Sequence, residues 1–371
     1  MQDFIQKEIE NLSILGRFRE IEESMRSDSI YITRGNKRYI SFSCNDYFGL
    51  SQNKDVRKSA IEAIEKYGVG SGASRFITGS HPLYSELEKL LSKMKDTEDA
   101  LVFGSGYLVN IGVIQALIGN GDLIIADKLV HASIIDGCLL SGAKLIRFKH
   151  NDALSCKKIL QENRKKYRNC IVVTETIFSM DGDVAPIENL LGLVEKFNAL
   201  LVTDDAHGFG IINKTYANPL HIQIGTLSKA VGSYGGYICA TKDIILYLKN
   251  KARTLIYSTA LPPSVIAASI EAIKIISTNN DLCTKALNNA RLFTTLLGIK
   301  EAQSAIVPLI LGSEEKVLAV SKMLMQNGFI VVAIRPPTVP KNTSRLRFAF
   351  SSVHKERDIK QLVDVLEHCL N

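Results

Sequence analysis

The stretch "ALLVTDDAHG", residues 199–208, is an apolar run that ends on Asp204, Asp205 and His207, followed by a glycine. A short apolar run bounded by turn signals is the pattern of a strand buried on both faces. "DALVF" (99–103), "DLIIAD" (122–127) and "CIVVTETIF" (170–178) repeat it, and helical patterns such as "PLYSELEKLLSKM" (82–94) and "SIEAIKIIS" (269–277) alternate with such runs. That alternation predicts an α/β fold with a mostly parallel sheet covered by helices. From about Pro263 the pattern changes to a helix, "SAIVPLILG", a helix from Glu314, "GFIVVAI", "RLRFAFSS" and a closing helix, which predicts a smaller C-terminal α+β domain. The expected division is an N-terminal helix and extended segment over 1–45, a large α/β domain over 46–265 and a small α+β domain over 266–371.

Ligands of open α/β sheets bind beyond the carboxyl ends of the strands, so residues at those ends are the first candidates for chemistry. Asp204 beside His207 suits a metal pair, a general base or a helix cap. "IGTLSKAVGSYGGY" (224–237) sets Lys229 among Thr226, Ser228, Gly232, Gly235 and Gly236. It reads as a solvated lysine in a turn, or as an amine that meets a bulky planar partner for which small neighbours leave room. Pyridoxal phosphate (PLP) needs a lysine for its Schiff base, a carboxylate against its pyridinium nitrogen and donors around its phosphate, and this chain offers all three. His207 is then free to bond the ring substituents or to satisfy itself in the core.

Other strand ends add to the set. "LVFGSGYLVN" (101–110) gives a strand, Gly104-Ser105-Gly106 and a helix start, where backbone N–H groups bind phosphate. Its rival is a dinucleotide fingerprint with Asp127 as the acidic partner, incomplete because Val109 stands where the third small residue belongs. His131 in "DKLVHASIIDG" (127–137) either stacks on a flat ring or serves as a core or capping histidine. In "TETIFSMDGDVAP" (174–186), Asp and Gly alone would make a turn, which leaves Glu175 and Ser179 of functional interest. "SRLRFAFSS" (344–352) puts Arg345 and Arg347 on one strand face and Leu346 and Phe348 on the other. Such an arginine either binds a carboxylate bidentately or lies on a solvated edge strand.

Composition narrows the classes. In 371 residues, 46% hydrophobic and 22% charged, no apolar run approaches a membrane span, which predicts a soluble protein. The opening "MQDFIQKEIENLSILGRF" mixes acids and bases and spaces Phe4, Ile5, Ile9, Leu12 and Phe18 for one helix face, which is no signal peptide and points to the cytoplasm. The 7 cysteines are scattered without C-x-x-C, against a disulfide framework or structural zinc, so no metal is expected. A net charge of +7 is spread too evenly for a nucleic-acid arm and suits attraction of a polyanionic substrate or an acidic carrier.

"SCNDYFGLS", "GSGASRFITGSHPLYSELE", "FGSGYLVN", "HASIIDG", "ETIFSMDGDVAP", "TDDAHGFG", "GTLSKAVGSYGG" and "RPPTVPKNTSRLRFAFSSVH" occur in the order typical of the α-oxoamine synthases, which the chain resembles from about residue 40 onward. Singly these motifs are weak, but eight in order are specific. The resemblance implies a fold-type I PLP enzyme, homodimeric, with sites at the subunit interface. By motif, Lys229 carries the cofactor, Asp204 pairs with the ring nitrogen, His131 stacks on the ring, and His207 and Ser179 contact the ring oxygen. Ser105, Gly106 and Tyr107 would hold the phosphate with Thr226 and Ser228, joined by Ser258 and Thr259 from the partner subunit. Asn45 and Arg345 match positions around the amino-acid carboxylate, and Arg17 or Arg19 the arginine near the acyl substrate. The activity implied is decarboxylative condensation of an amino acid, L-alanine, with an acyl thioester, pimeloyl-CoA or its carrier-protein form. A glycine-using member of the family is the alternative, and a nicotinamide-dependent reductase the remote one. The chain departs from the family in Asp205 for glutamate, Cys44 for serine, Tyr84 for histidine and a shortened "FGIINKTYANPLHIQ" (209–223).

Overall fold

The computed structural model describes residues 1–15, 17–212 and 214–370. Asn213, within the shortened stretch 209–223, lies outside the described residues. The strands, in chain order, are β1 (Met25–Asp28), β2 (Tyr31–Arg34), β3 (Lys37–Ser41), β4 (Asp99–Phe103), β5 (Leu123–Asp127), β6 (Lys144–Phe148), β7 (Cys170–Glu175), β8 (Leu200–Asp204), β9 (His221–Thr226), β10 (Gly236–Ala240), β11 (Ile306–Gly312), β12 (Phe329–Ile330), β13 (Val332–Ile334) and β14 (Ser344–Ala349). The chain forms two compact units, residues 46–179 with 183–284, and residues 1–45 with 180–182 and 285–371.

The first unit is built on a seven-stranded sheet in the order β4-β10-β9-β8-β7-β5-β6. Strands β5 to β9 run parallel, and β10 is antiparallel to both β9 and β4. Side chains alternate between faces along each strand. Ile124, Ile171, Val173 and Val202 thus pack with Val109, Val113 and Ile114 of helix Gly106–Leu117. Leu123, Ile125, Val172 and Leu201 pack with Leu160, Leu190 and Val194 on the opposite face. Because both faces are covered, these strands read as unbroken apolar runs rather than as alternating ones.

This unit runs past the expected boundary at 265. Helix Pro263–Thr278 packs against helices Lys54–Tyr67 and Leu83–Lys95, so it belongs with the large sheet rather than with the C-terminal elements. The first 45 residues are likewise no separate domain, because β3 pairs in parallel with β12.

In the second unit, β1-β2-β3-β12 and β11-β14-β13 form two sheets. "GFIVVAI" is not one strand but two in different sheets, broken at the buried Val331. The Ser43 hydroxyl spans the break, donating to Ile330 O at 3.2 Å and accepting from Val332 N at 2.9 Å. Strand β14 is the central strand of its sheet and buried throughout, which disposes of the solvated-edge reading. The N-terminal helix forms at Gln2–Ile14, with Phe4, Ile5, Ile9 and Leu12 all exposed. No helix among the described residues is long and apolar enough to cross a membrane.

Candidate active site

A cavity of about 260 Å³ opens at the carboxyl ends of the large sheet, lined by Ser105, Gly106, Tyr107, Asn110, His131, Ser133, Glu175, Asp204, Ala206, His207, Thr226, Ser228 and Lys229. Five strand ends deliver these groups, so residues far apart in sequence meet because the strands stop at the same level.

Asp204 ends β8 on the face that carries Val202, toward helix Gly106–Leu117. Its carboxylate accepts from Asn110 Nδ2 at 2.7 Å and from Ala206 N at 2.9 Å. Asp205 turns the other way and binds Lys95 Nζ at 2.6 Å, so only one of the adjacent aspartates serves the cavity. Lys229 Nζ and His207 Nε2 lie 2.8 Å apart, and His207 Nδ1 meets the buried Tyr47 hydroxyl at 2.6 Å. A continuous hydrogen-bonded chain therefore runs from Tyr47 to the amine.

His131 takes the capping role and also reaches the cavity. Its ring Nδ1 accepts from Ser133 N at 3.3 Å, capping helix Ala132–Ser141, while the imidazole forms part of the cavity wall. Burial lowers its pKa, with Asp204 opposing and Lys229 adding to the effect, so the ring is favoured neutral. At the β4 end of the cavity, Ser105 caps helix Gly106–Leu117 by accepting from Leu108 N at 3.2 Å. Thr226 and Ser228 share a hydroxyl hydrogen bond of 2.8 Å.

Two of the glycines near Lys229, Gly232 and Gly236, admit neighbouring backbone, and Gly235 admits the Leu261 side chain. A Cβ on Gly232, whose φ is +70°, would lie 2.4 Å from Ser51 N. One on Gly236 would lie 2.4 Å from Ser105 O. The lysine turn is thus pressed against two other backbone segments that fix where its amine emerges.

Asn110 and Tyr47 are the members least visible in the sequence, whereas Glu175 was singled out by its place after a buried strand. Glu175 is fully buried, and burial together with the nearby Asp204 charge raises its pKa well above the usual carboxylate range. Amides of His131 and Ser179 point at it and oppose that shift. Ser179 meets the cavity through this backbone contact and is absent from its wall. A lone polar residue at position 110 on an otherwise apolar helix face was the available signal for Asn110.

Of the remaining candidates, Ser258 and Thr259 line a different small cavity, with Arg75 and Tyr84. In the second unit, Arg345 is committed to Asp181 Oδ1 at 2.5 Å and to Thr343 O at 3.0 Å, whereas Arg347 donates to Asn45 Oδ1 at 3.1 Å. Arg17 has its Nε buried without a partner among the described residues, and Arg19 reaches the Thr338 hydroxyl at 3.4 Å. The dinucleotide reading fails on topology: β4 and β5 are separated by β10, β9, β8 and β7, and Asp127 is bonded to His150. Among the described residues no cluster of three His, Cys, Asp or Glu is placed to hold a metal ion.

Residues 37–366 match the aminotransferase class I and II family. The 8-amino-7-oxononanoate synthase of Beijerinckia indica is 45% identical, over 98% of this chain and 96% of its own length. The chain belongs to this family, as an α-oxoamine synthase. Among solved structures, serine palmitoyltransferase of S. paucimobilis with a bound PLP–myriocin aldimine is 28% identical with a TM-score of 0.92, covering 99% of this chain and 96% of that one. The 8-amino-7-oxononanoate synthase of Francisella tularensis is 27% identical with a TM-score of 0.76, covering 90% and 98%. The α-oxoamine synthase fold here is accordingly that of the fold-type I PLP transferases, and PLP is its cofactor. The cavity fits that group: Asn110 Oδ1 and Glu175 Oε1 are buried in its wall without partners among the described residues, beside an amine, a carboxylate and a hydroxyl pair.

Proposed function

We propose that this α-oxoamine synthase condenses L-alanine with a pimeloyl thioester, on CoA or on a carrier protein, releasing carbon dioxide and the free thiol to give 8-amino-7-oxononanoate for biotin synthesis. The observation that carries the reading is the convergence of Lys229, His207 and Asp204 on one cavity in a chain whose relatives, 45% and 44% identical, are 8-amino-7-oxononanoate synthases. PLP supplies an electron sink for the pair left on an amino acid's Cα. Asp204 would keep a proton on the ring nitrogen, held in place by Asn110 and Ala206 N. His131 would cover one ring face, and Ser105, Gly106, Tyr107, Thr226 and Ser228 would take the phosphate. His207 would bond the ring oxygen. Lys229 holds or releases a proton at Nζ, with His207 and Tyr47 as the adjoining hydrogen-bonded chain.

For the amino-acid carboxylate we assign Arg347, which donates to Asn45, in place of the Arg345 expected from the sequence, which is paired with Asp181. Ser258 and Thr259 are assigned to the phosphate of a partner subunit in a cytoplasmic homodimer. A second reading, a serine-using long-chain acyl transferase, draws on the serine palmitoyltransferase neighbours. Purified enzyme offered alanine, serine or glycine with pimeloyl-CoA, acetyl-CoA or palmitoyl-CoA decides between them. Product from alanine and pimeloyl-CoA is expected; preference for serine with palmitoyl-CoA would hand the function to the second reading.

A further inference from the structure

His150 follows β6 and is absent from the cavity wall, yet it joins the turn that leads to His131 of that wall to the turn that follows the wall residue Glu175. Its Nδ1 lies 3.0 Å from Asp127 Oδ1 and its Nε2 lies 2.8 Å from Asp183 Oδ2. We propose that His150, bonded at once to Asp127 and Asp183, is a positioning residue that fixes the turn carrying His131 against the turn carrying Ser179.

Each end of this clamp is tied to what it positions. Asp127 closes β5 and is fully buried; its carboxylate also accepts from Leu129 N at 2.8 Å and from Asn151 N at 2.8 Å. The segment 127–130, which leads straight into His131, is therefore pinned through the side chain that His150 grips. Asp183 closes the opposite turn, where Phe178 N donates to Asp183 O at 3.1 Å and Ala185 N to Thr176 O at 3.1 Å. Asn151 Nδ2 adds a bond of 2.7 Å to Asp183 Oδ2. The Phe178 ring meets the imidazole edge to face at 4.3 Å, which limits its freedom to tilt. At the cavity end the same two turns converge again, since the amides of His131 and Ser179 both approach the Glu175 carboxyl.

Both ring nitrogens face carboxylate oxygens, and only the protonated imidazole donates from both. Burial works against that charge, but the two aspartates more than reverse it and lift the pKa to about 10. The clamp therefore stays closed throughout the neutral range. Sliding either turn would tilt the His131 ring away from its place over the cofactor, and a misplacement on the order of 1 Å costs up to about a hundredfold.

The proposal rests on the cavity being the PLP site, so PLP retention is the measurement. Holoenzymes of the parent, His150→Gln, His131→Ala and the double variant are diluted, and bound PLP is followed by its visible absorption and circular dichroism. His150→Gln is expected to weaken retention roughly tenfold or more in the parent and to alter the dichroic band, while adding less than about twofold in the His131→Ala background, since residues acting through one another are not additive. Asp183→Asn, at the partly exposed end of the clamp, should act in the same direction and supplies the cycle if His150→Gln does not fold. Equal fold-changes in both backgrounds, or a lower melting temperature with PLP retention unchanged, would overturn the clamp. A parent that retained no PLP would overturn the cofactor reading itself, and the clamp with it.

Discussion

The amine of Lys229 is held 2.8 Å from a histidine that is itself held by Tyr47, so its replacement removes the proposed proton carrier while leaving the packing of the turn largely intact. Lys229→Ala should fold, lose the visible band that borohydride bleaches, and exchange the alanine Cα proton about 10²–10⁴-fold more slowly, as loss of a general base implies. Parental exchange, read by NMR in deuterium oxide, would refute the role. The two arginines of β14 give a paired test. Arg347→Ala should raise the KM for alanine by tenfold or more, as loss of a charge-assisted bond of about 1.5–3 kcal/mol predicts. Arg345→Ala should chiefly lower the melting temperature, because it leaves Asp181 without its cation. Equal damage to KM would leave the carboxylate site unassigned. The sequence made Asp204 and Lys229, with His207 nearby, legible because together they supply groups that PLP needs, whereas singly each read as well as a cap, a core histidine or a turn lysine. Alternation put both arginines on one face but could not tell them apart, since that depended on Asp181 and Asn45, each far away along the chain. Asn110 and Tyr47 stayed hidden for the same reason: their partners are set by strand order.

Strand β10 begins at Gly236, whose missing side chain lets the Ser105 carbonyl come close. Gly236→Ala should therefore destabilise by about 1–3 kcal/mol, as overpacking does, and also weaken PLP retention because Ser105 begins the turn proposed to take the phosphate. A melting temperature and PLP retention both equal to the parent's would contradict that close approach. The individual elements were mostly readable, because strands buried on both faces and amphipathic helices leave different periods. Their allegiances were less so. Helix Pro263–Thr278 joins the large sheet, and "GFIVVAI" divides between two sheets, because pairing partners rather than local pattern decide both.

For the molecule as a whole, acid is expected to weaken folding before any carboxylate in the ordinary range titrates. Burial depresses His221 and His354 from 6.5 to about 4 each, so the folded chain refuses protons that the unfolded chain accepts. The stability attached to their neutral forms is full above about pH 6.5 and falls as pH drops toward about 4. Glu175, raised by burial, gains stability over the same fall, so the histidine share is read as the difference in melting profile between the parent and His221→Gln; identical profiles would contradict the burial of His221. Sedimentation should show a dimer at assay concentrations, and an active monomer would remove the role given to Ser258 and Thr259. The pairing of β3 with β12 also has a consequence for the chain as it is made. A ribosome adds about 5–20 residues per second, so β3 waits on the order of tens of seconds for its neighbour to emerge. Meanwhile β4 to β10 are already complete and able to assemble. The opening strands spend that interval as a meander bare at both edges, one of which only β12 will cover, which exposes them to pairing with other chains until then.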